Sequence, residues 1–253
     1  MDILARFQAI NDNDKAALVR KLLESSTPNF DFFYLVGLSV LMATLGLLLD
    51  SAAIVIGSML IAPLLYPILA LALGLVMSNA EVIGRSTWTL LKALGIGLGL
   101  AFVAAFFFGE SSMYTSFEVM SRTEPSYLYL LVAIVAGAAV SFALAQPEWS
   151  ETLPGIAISV ALIPPLATVG VGLAALDPVV IKGSAVLLLL NLIGIIGAAA
   201  FSFMLMNLYQ KQNIAESTIK KVEKKMEEEE RAIEEVVESR HQATEDRNNQ
   251  KHI

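Results

Sequence analysis

Long unbroken runs of apolar residues make up the middle of this chain, and polar residues are confined to the joints between them and to the two ends. A helix needs about twenty apolar residues to cross a bilayer. Six segments reach that length, at residues 31–49, 52–77, 86–108, 126–146, 153–176 and 181–208. None alternates apolar and polar positions as a strand of an outer-membrane barrel does, so the pattern predicts an all-α, polytopic integral membrane protein. Ahead of the first run, residues 1–29 contain DKAALVRKLLESS, with Leu18, Val19, Leu22 and Leu23 on one face and Lys15, Arg20, Lys21 and Glu24 on the other. That spacing predicts a short amphipathic helix lying on the membrane or against a partner, and the segment holds no apolar core long enough for a signal peptide. Behind the last run, residues 209–253 form a charged tail in which Ala215, Ile219, Val222, Met226, Ile233 and Val236 follow a 3/4 spacing, with Glu229 at one seam position. This predicts a straight helix, either solvated and held by Glu/Lys pairs or paired as a short coiled coil in a homo-oligomer.

Within the second run, IGSMLIAPLLYPI places Pro63 and Pro67 four residues apart. Each proline removes a backbone donor and frees a carbonyl, at about 3 kcal/mol in a regular helix, and hydrocarbon offers no water to repair the loss. Shifted by 102 positions, Ile54–Tyr66 falls on Ile156–Thr168 with six identities in 13 positions, Pro63 over Pro165. In the next helix LLKALGI, residues 90–96, falls on LLNLIGI, residues 189–195, which sets Lys92 over Asn191 at a shift of 99. The chain is therefore expected to hold two copies of a three-helix unit, residues 30–108 and 126–208, joined by an extracytoplasmic loop at 109–125. Three crossings per copy is odd, so the second copy enters the membrane from the other side. The expected fold is thus two inverted repeats whose Pro-broken helices meet near the midplane and form a solute site.

The motifs DSAAIVIGSMLIAPLLYPI and GIAISVALIPPLATVGVGLA resemble the prokaryotic membrane family catalogued as domain of unknown function 389, an uncharacterised hydrophobic domain. The resemblance covers about residues 31–208. It implies a membrane protein and supplies no activity.

Composition sharpens the picture at three points. A hydrophobic content of 56% with 16% charged residues exceeds what a soluble domain of this size buries. The formal charge of −7 is unevenly spread: between Asp31 and Leu208 there are four basic and nine acidic residues, while nine of the 17 basic residues follow position 210. No basic face for nucleic acid results. Basic residues flank the first and last runs, which by the positive-inside rule puts both termini in the cytoplasm of a multi-pass inner-membrane protein. The absence of cysteine excludes disulfides and thiolate metal sites.

Candidate chemistry lies inside the runs. An ionisable group at membrane depth is costly and tends to face protein or a cavity. Lys92 and Asn191, placed at matching depth, are the first candidates for substrate binding; snorkelling to the interface is the other reading of Lys92. Pro63 and Pro165, with Ser58, Ser159 and Thr168 beside them, supply freed carbonyls and hydroxyls. Asp50 is a candidate for ion coupling, or else the N-cap of the second run, a place it shares with Ser51. No nucleophile with a base, phosphate-cradling loop or metal-ligating cluster is present, so neither an enzyme nor a cofactor is expected. Beyond the bilayer itself, the expected partners are a small polar solute, anionic groups included, or an ion, and further copies of the chain. Two functions follow: a transporter or channel with its site between the second and fifth runs, or a non-transporting scaffold or sensor working through its tail.

Overall fold

The structure, a computed structural model, describes the backbone of residues 11–145 and 154–249 and the side chains of 11–145, 162–228 and 231–232. Among the described residues there are helices and no strands. In chain order the α-helices are α1 Asp12–Ser25, α2 Phe30–Leu48, α3 Ala52–Met59, α4 Leu65–Met77, α5 Ala80–Phe108, α6 Phe117–Met120, α7 Tyr127–Leu144, α8 Pro154–Ala175, α9 Pro178–Leu205 and α10 Gln212–Asn249. Of these, α2, α5, α7 and α9 are long and apolar enough to cross a membrane, and α4 is a shorter apolar helix.

Helix starts follow the polar residues at the joints. Asn29 accepts from the N–H of Phe32 (2.8 Å), Asn79 from Val82 (3.0 Å), and Asp177 from Val179 and Val180 (2.9 and 3.3 Å). Each side chain thus satisfies a donor that the first helical turn leaves open. Because Asn79 and Asp177 cap further upstream than the apolar runs begin, α5 and α9 start at Ala80 and Pro178 rather than at the expected 86 and 181. One corner geometry joins α2 to α3, α4 to α5 and α8 to α9. A residue with positive φ (Asp50, Ser78, Leu176) follows the helix, and the next N–H bonds back to Gly46, Gly74 or Gly172. Glycine relieves a tight approach there, since a Cβ would sit 3.0 Å from the backbone nitrogen of Val55, Ile83 or Ile181.

Helix α8 lies at the centre. It touches α2, α3, α4, α5, α7 and α9, and every residue from Leu162 to Gly172 is buried. Around it α5 packs on α8 while α9 packs on α4, and α7 packs on α9. The buried stripe of α5 recurs on α9 at an offset of 98: Val82, Ser86, Ala93, Gly97 and Ala101 correspond to Val180, Ser184, Asn191, Ile195 and Ala199. The buried stripes thus follow an offset of 98, one residue away from the offset of 99 expected from LLKALGI and LLNLIGI. An offset of 99 turns one helix by about 100° relative to that match, so the buried position that matches Asn191 is Ala93 and not Lys92.

The second expected run is two helices. The eight-residue α3 and the 13-residue α4 are separated by a break at residues 60–64, whereas the corresponding 22-residue α8 passes without interruption through Pro164 and Pro165. Helix starts Ala52 and Pro154 are offset by 102 and helix ends Met77 and Ala175 by 98, so four additional residues fall in the break. Beyond it, the counterpart of Pro165 is Pro67. The expectation of two broken helices therefore holds in the first half and fails in the second.

The two ends of the bundle differ. At one, α1 packs on α4 and α10 on α1; Lys211 pairs with Asp12 (3.1 Å), Arg85 with Glu223 (3.0 Å), and the side-chain amide of Gln212 donates to the carbonyl of Met77. At the other, Ser116 Oγ donates to the carbonyl of Leu47 (2.8 Å), and Gly183 lies against the backbone of Thr123. The Ser78 corner thus belongs to the first end and the Leu176 corner to the second. Ala215 and Ile219 of the predicted seam are buried where α10 packs on α1. The near part of the seam is therefore used within the chain; Glu229, Ile233 and Val236 fall outside the described side chains.

Candidate functional site

The break between α3 and α4 interrupts the backbone ladder midway along the second apolar run, with Leu60 and Ile61 exposed and Ala62 and Leu64 buried. The last turn of α3 tightens, with Leu60 N–H bonding to Gly57 (3.3 Å) and Ile61 N–H to Ser58 (3.2 Å). Pro63 then removes a donor, and α4 begins at Leu65 with no side chain capping it. Ser39 of α2 answers from across the bundle: its Oγ donates to the carbonyl of Ser58 at 2.7 Å, and Ser58 Oγ donates to Val55 at 2.6 Å. Both serines are fully buried. On the facing helix, Thr168 Oγ1 donates to the carbonyl of Pro164 at 2.9 Å, and Thr168 is likewise fully buried. Such repairs make irregular backbone tolerable at membrane depth when it is enclosed by protein.

Each of these features lies near the middle of its own apolar segment. The break lies midway between Ala52 and Met77, Pro164 and Pro165 lie midway along Pro154–Ala175, and Asn191 lies midway along Pro178–Leu205. Asn191 is buried, on the same stripe of α9 as the buried Ser184 and Ser202. Ser184 and Ser202 donate to the carbonyls of Val180 (2.6 Å) and Ala198 (3.0 Å), one turn earlier. Pro63, Ser58, Thr168, Pro165 and Asn191 thus lie near the middle of their apolar segments, on helices of which α8 packs on α3, α4 and α9.

Two expected members lie elsewhere. Lys92 is on the outer face of α5, its Nζ 5.1 Å from the ring centroid of Trp88, which is 61% exposed. The long side chain therefore runs along the surface toward an aromatic neighbour, the geometry of a cation–π pair. Asp50 is exposed at the α2–α3 corner, and its Oδ1 accepts from the N–H of Glu118 at 2.8 Å. Ser51 occupies the N-cap of α3 without a side-chain bond, so Asp50 caps the distant α6 and not its own following helix. The side chain of Ser159 is outside the described residues. Ser39, Ser184 and Ser202 were not singled out from sequence. For the α9 pair a signal existed, since positions 184, 191 and 202 fall within about 20° of one another at 100° per residue.

Residues 59–197 match the family described as domain of unknown function (DUF389). An uncharacterized protein of Methanocaldococcus jannaschii, MJ0678, is 30% identical over 158 residues, 62% of this chain. The alignment spans 48% of that protein, so the chain reaches about half the length of this relative. No solved structure matches the chain.

Proposed function

Starting from the membership of this chain in the DUF389 family, whose description supplies no activity, we propose that the protein is a membrane transporter or channel for a small polar solute. The observation that carries this reading is that the α3–α4 break, the Pro164–Pro165 step and Asn191 each lie midway along their apolar segments. Backbone defects and a buried amide are costly in hydrocarbon, and three of them, each midway along its segment, make a polar layer across an apolar bundle. Carbonyls at the end of α3 accept and the uncapped start of α4 donates, which suits a solute carrying both kinds of group. In this reading α3 and α4 together form one crossing and α8 another, giving six, and the two halves are inverted repeats. The corners at Ser78 and Leu176 on opposite ends, the stripe shared by α5 and α9, and the crosswise pairs α5–α8 and α4–α9 support it.

The test is the thermal midpoint of the detergent-purified protein across inorganic ions, carboxylates, amino acids and nucleotides, followed by flux of any hit into vesicles. A solute at about 100 times its dissociation constant adds roughly 2.7 kcal/mol to the folded state. A shift that Asn191→Leu abolishes, with flux in vesicles, is the expected result. Absence of both across the panel overturns the reading.

One observation favours a second reading, a scaffold or sensor. Helix α10 has 38 residues and α1 only 14, about 57 Å against 21 Å at 1.5 Å per residue. The far part of α10 thus outruns its partner and offers a surface for another protein or a second copy. Retention of function after truncation at residue 230 would count against it.

A further inference from the structure

Buried hydroxyls in this bundle are answered by the backbone. Among the described residues, every buried serine and threonine but two donates to a carbonyl, in most cases that of the residue three or four positions earlier. The exceptions are Ser86 and Thr89 of α5, each 3% exposed, which make no side-chain hydrogen bond within the described structure. Position on the stripe does not account for this, since Ser184, which matches Ser86 on α9, donates to Val180 at 2.6 Å. What the two share is a narrow slot of about 30 Å³ between α5, α10 and the α1–α2 joint, which both of them line. A buried hydroxyl without an acceptor is costly, and two of them in one wall ask for a common partner.

We infer that the slot is a water site that ties α5 to the α1–α2 joint. Its other walls carry Ser26 and Thr27, whose hydroxyls donate to the carbonyl of Leu23 at 2.9 and 3.2 Å and keep lone pairs with which to accept. A water accepts from Ser86 and Thr89 and donates to Ser26 and Thr27, which answers all four hydroxyls and completes its own set of partners. Size and charge select water over other ligands. A single water needs about 10–15 Å³, so the slot has room for water and for nothing much larger. Arg85 lines it too, but its guanidinium meets Glu223 at 3.0 Å and Glu81 at 3.7 Å, so no unbalanced charge draws an ion. The water adds to the Arg85–Glu223 pair in fastening the α1–α10 layer to α5, and it is independent of any transported solute.

Radiolysis of water makes hydroxyl radicals beside bound waters, so a buried side chain next to one is oxidised even where bulk solvent hardly reaches. The detergent-purified protein is irradiated, and oxidation of single residues is followed by mass spectrometry. Leu23 and Ile219 line the slot at 6% and 4% exposure, whereas Leu18, at 4%, lies away from it. The expected result is oxidation of Leu23 and Ile219 several-fold faster than of Leu18, falling to the rate of Leu18 in Ser86→Ala/Thr89→Val. Ser184→Ala removes a hydroxyl already answered within its helix and leaves the pattern unchanged. Equal rates at the three residues in the parent protein overturn the site without recourse to any variant. Fast oxidation that persists in the double variant overturns the two hydroxyls as its holders. A thermal midpoint that rises with sodium, potassium or chloride at fixed ionic strength, in the parent and not in the double variant, overturns water as the ligand. Circular dichroism confirms that each variant is folded before it is compared.

Discussion

Lys92 and Asn191 lie at similar distances along their helices and have opposite surroundings, one outside against Trp88 and one inside on the α9 stripe. Depth in the membrane therefore does not assign a polar residue to a site; the direction it faces does. Lys92→Met should leave any solute-dependent rise in thermal midpoint unchanged, whereas Asn191→Leu should remove it. The reverse pattern would return Lys92 to the site. Close approach is likewise a property of single positions. A Cβ at Gly170 would collide with the backbone of Ala101, while one at Gly99 meets nothing within 4 Å. Gly170→Ala should cost about 1–3 kcal/mol by overpacking, read as a lowered midpoint. Gly99→Ala should be neutral or stabilising by up to about 1 kcal/mol. Equal effects would show that α5 and α8 do not cross so closely.

At the scale of elements, the break in α3–α4 and the continuity of α8 are two answers to the same prolines. Where four additional residues are present, the chain leaves the helix and Ser39 repairs a carbonyl from outside. Where they are absent, Thr168 donates within the helix, and α8 stays continuous among the helices packed around it. The segment after α5 is tied down by a different device, the Asp50 carboxylate on Glu118 N–H and Ser116 on Leu47. Asp50→Ala should loosen it by about 0.5–2 kcal/mol, the usual worth of a helix cap, and speed proteolysis between residues 109 and 126. Asp50→Asn keeps an acceptor oxygen and should protect nearly as well as the parent. If both variants are cut alike, charge rather than capping is what Asp50 supplies. Neither should alter the response to solute.

For the molecule as a whole, the proposed inverted repeats make a claim about sidedness that the cysteine-free sequence makes simple to test. Ser78 and Leu176 are exposed, the latter at 84%, and sit at equivalent corners on opposite ends. In sealed vesicles, Ser78→Cys and Leu176→Cys should react with a membrane-impermeant maleimide from opposite sides. Labelling of both from one side would rule out the inversion. The presence of the apolar runs and the placing of the prolines within them were determined by the sequence alone, because each is a local property of a short stretch of chain. The buried stripes of α5 and α9, the outward turn of Lys92, the break between α3 and α4 and the pairing of α10 with α1 were decided only by tertiary structure. The physical reason is that a membrane helix is apolar toward lipid and toward protein alike, so its hydrophobic pattern barely marks which face is buried. A shift of one residue, about 100° of rotation, leaves that pattern almost unchanged. Only the neighbouring helices distinguish the two faces, and they place Asn191 inside and Lys92 outside.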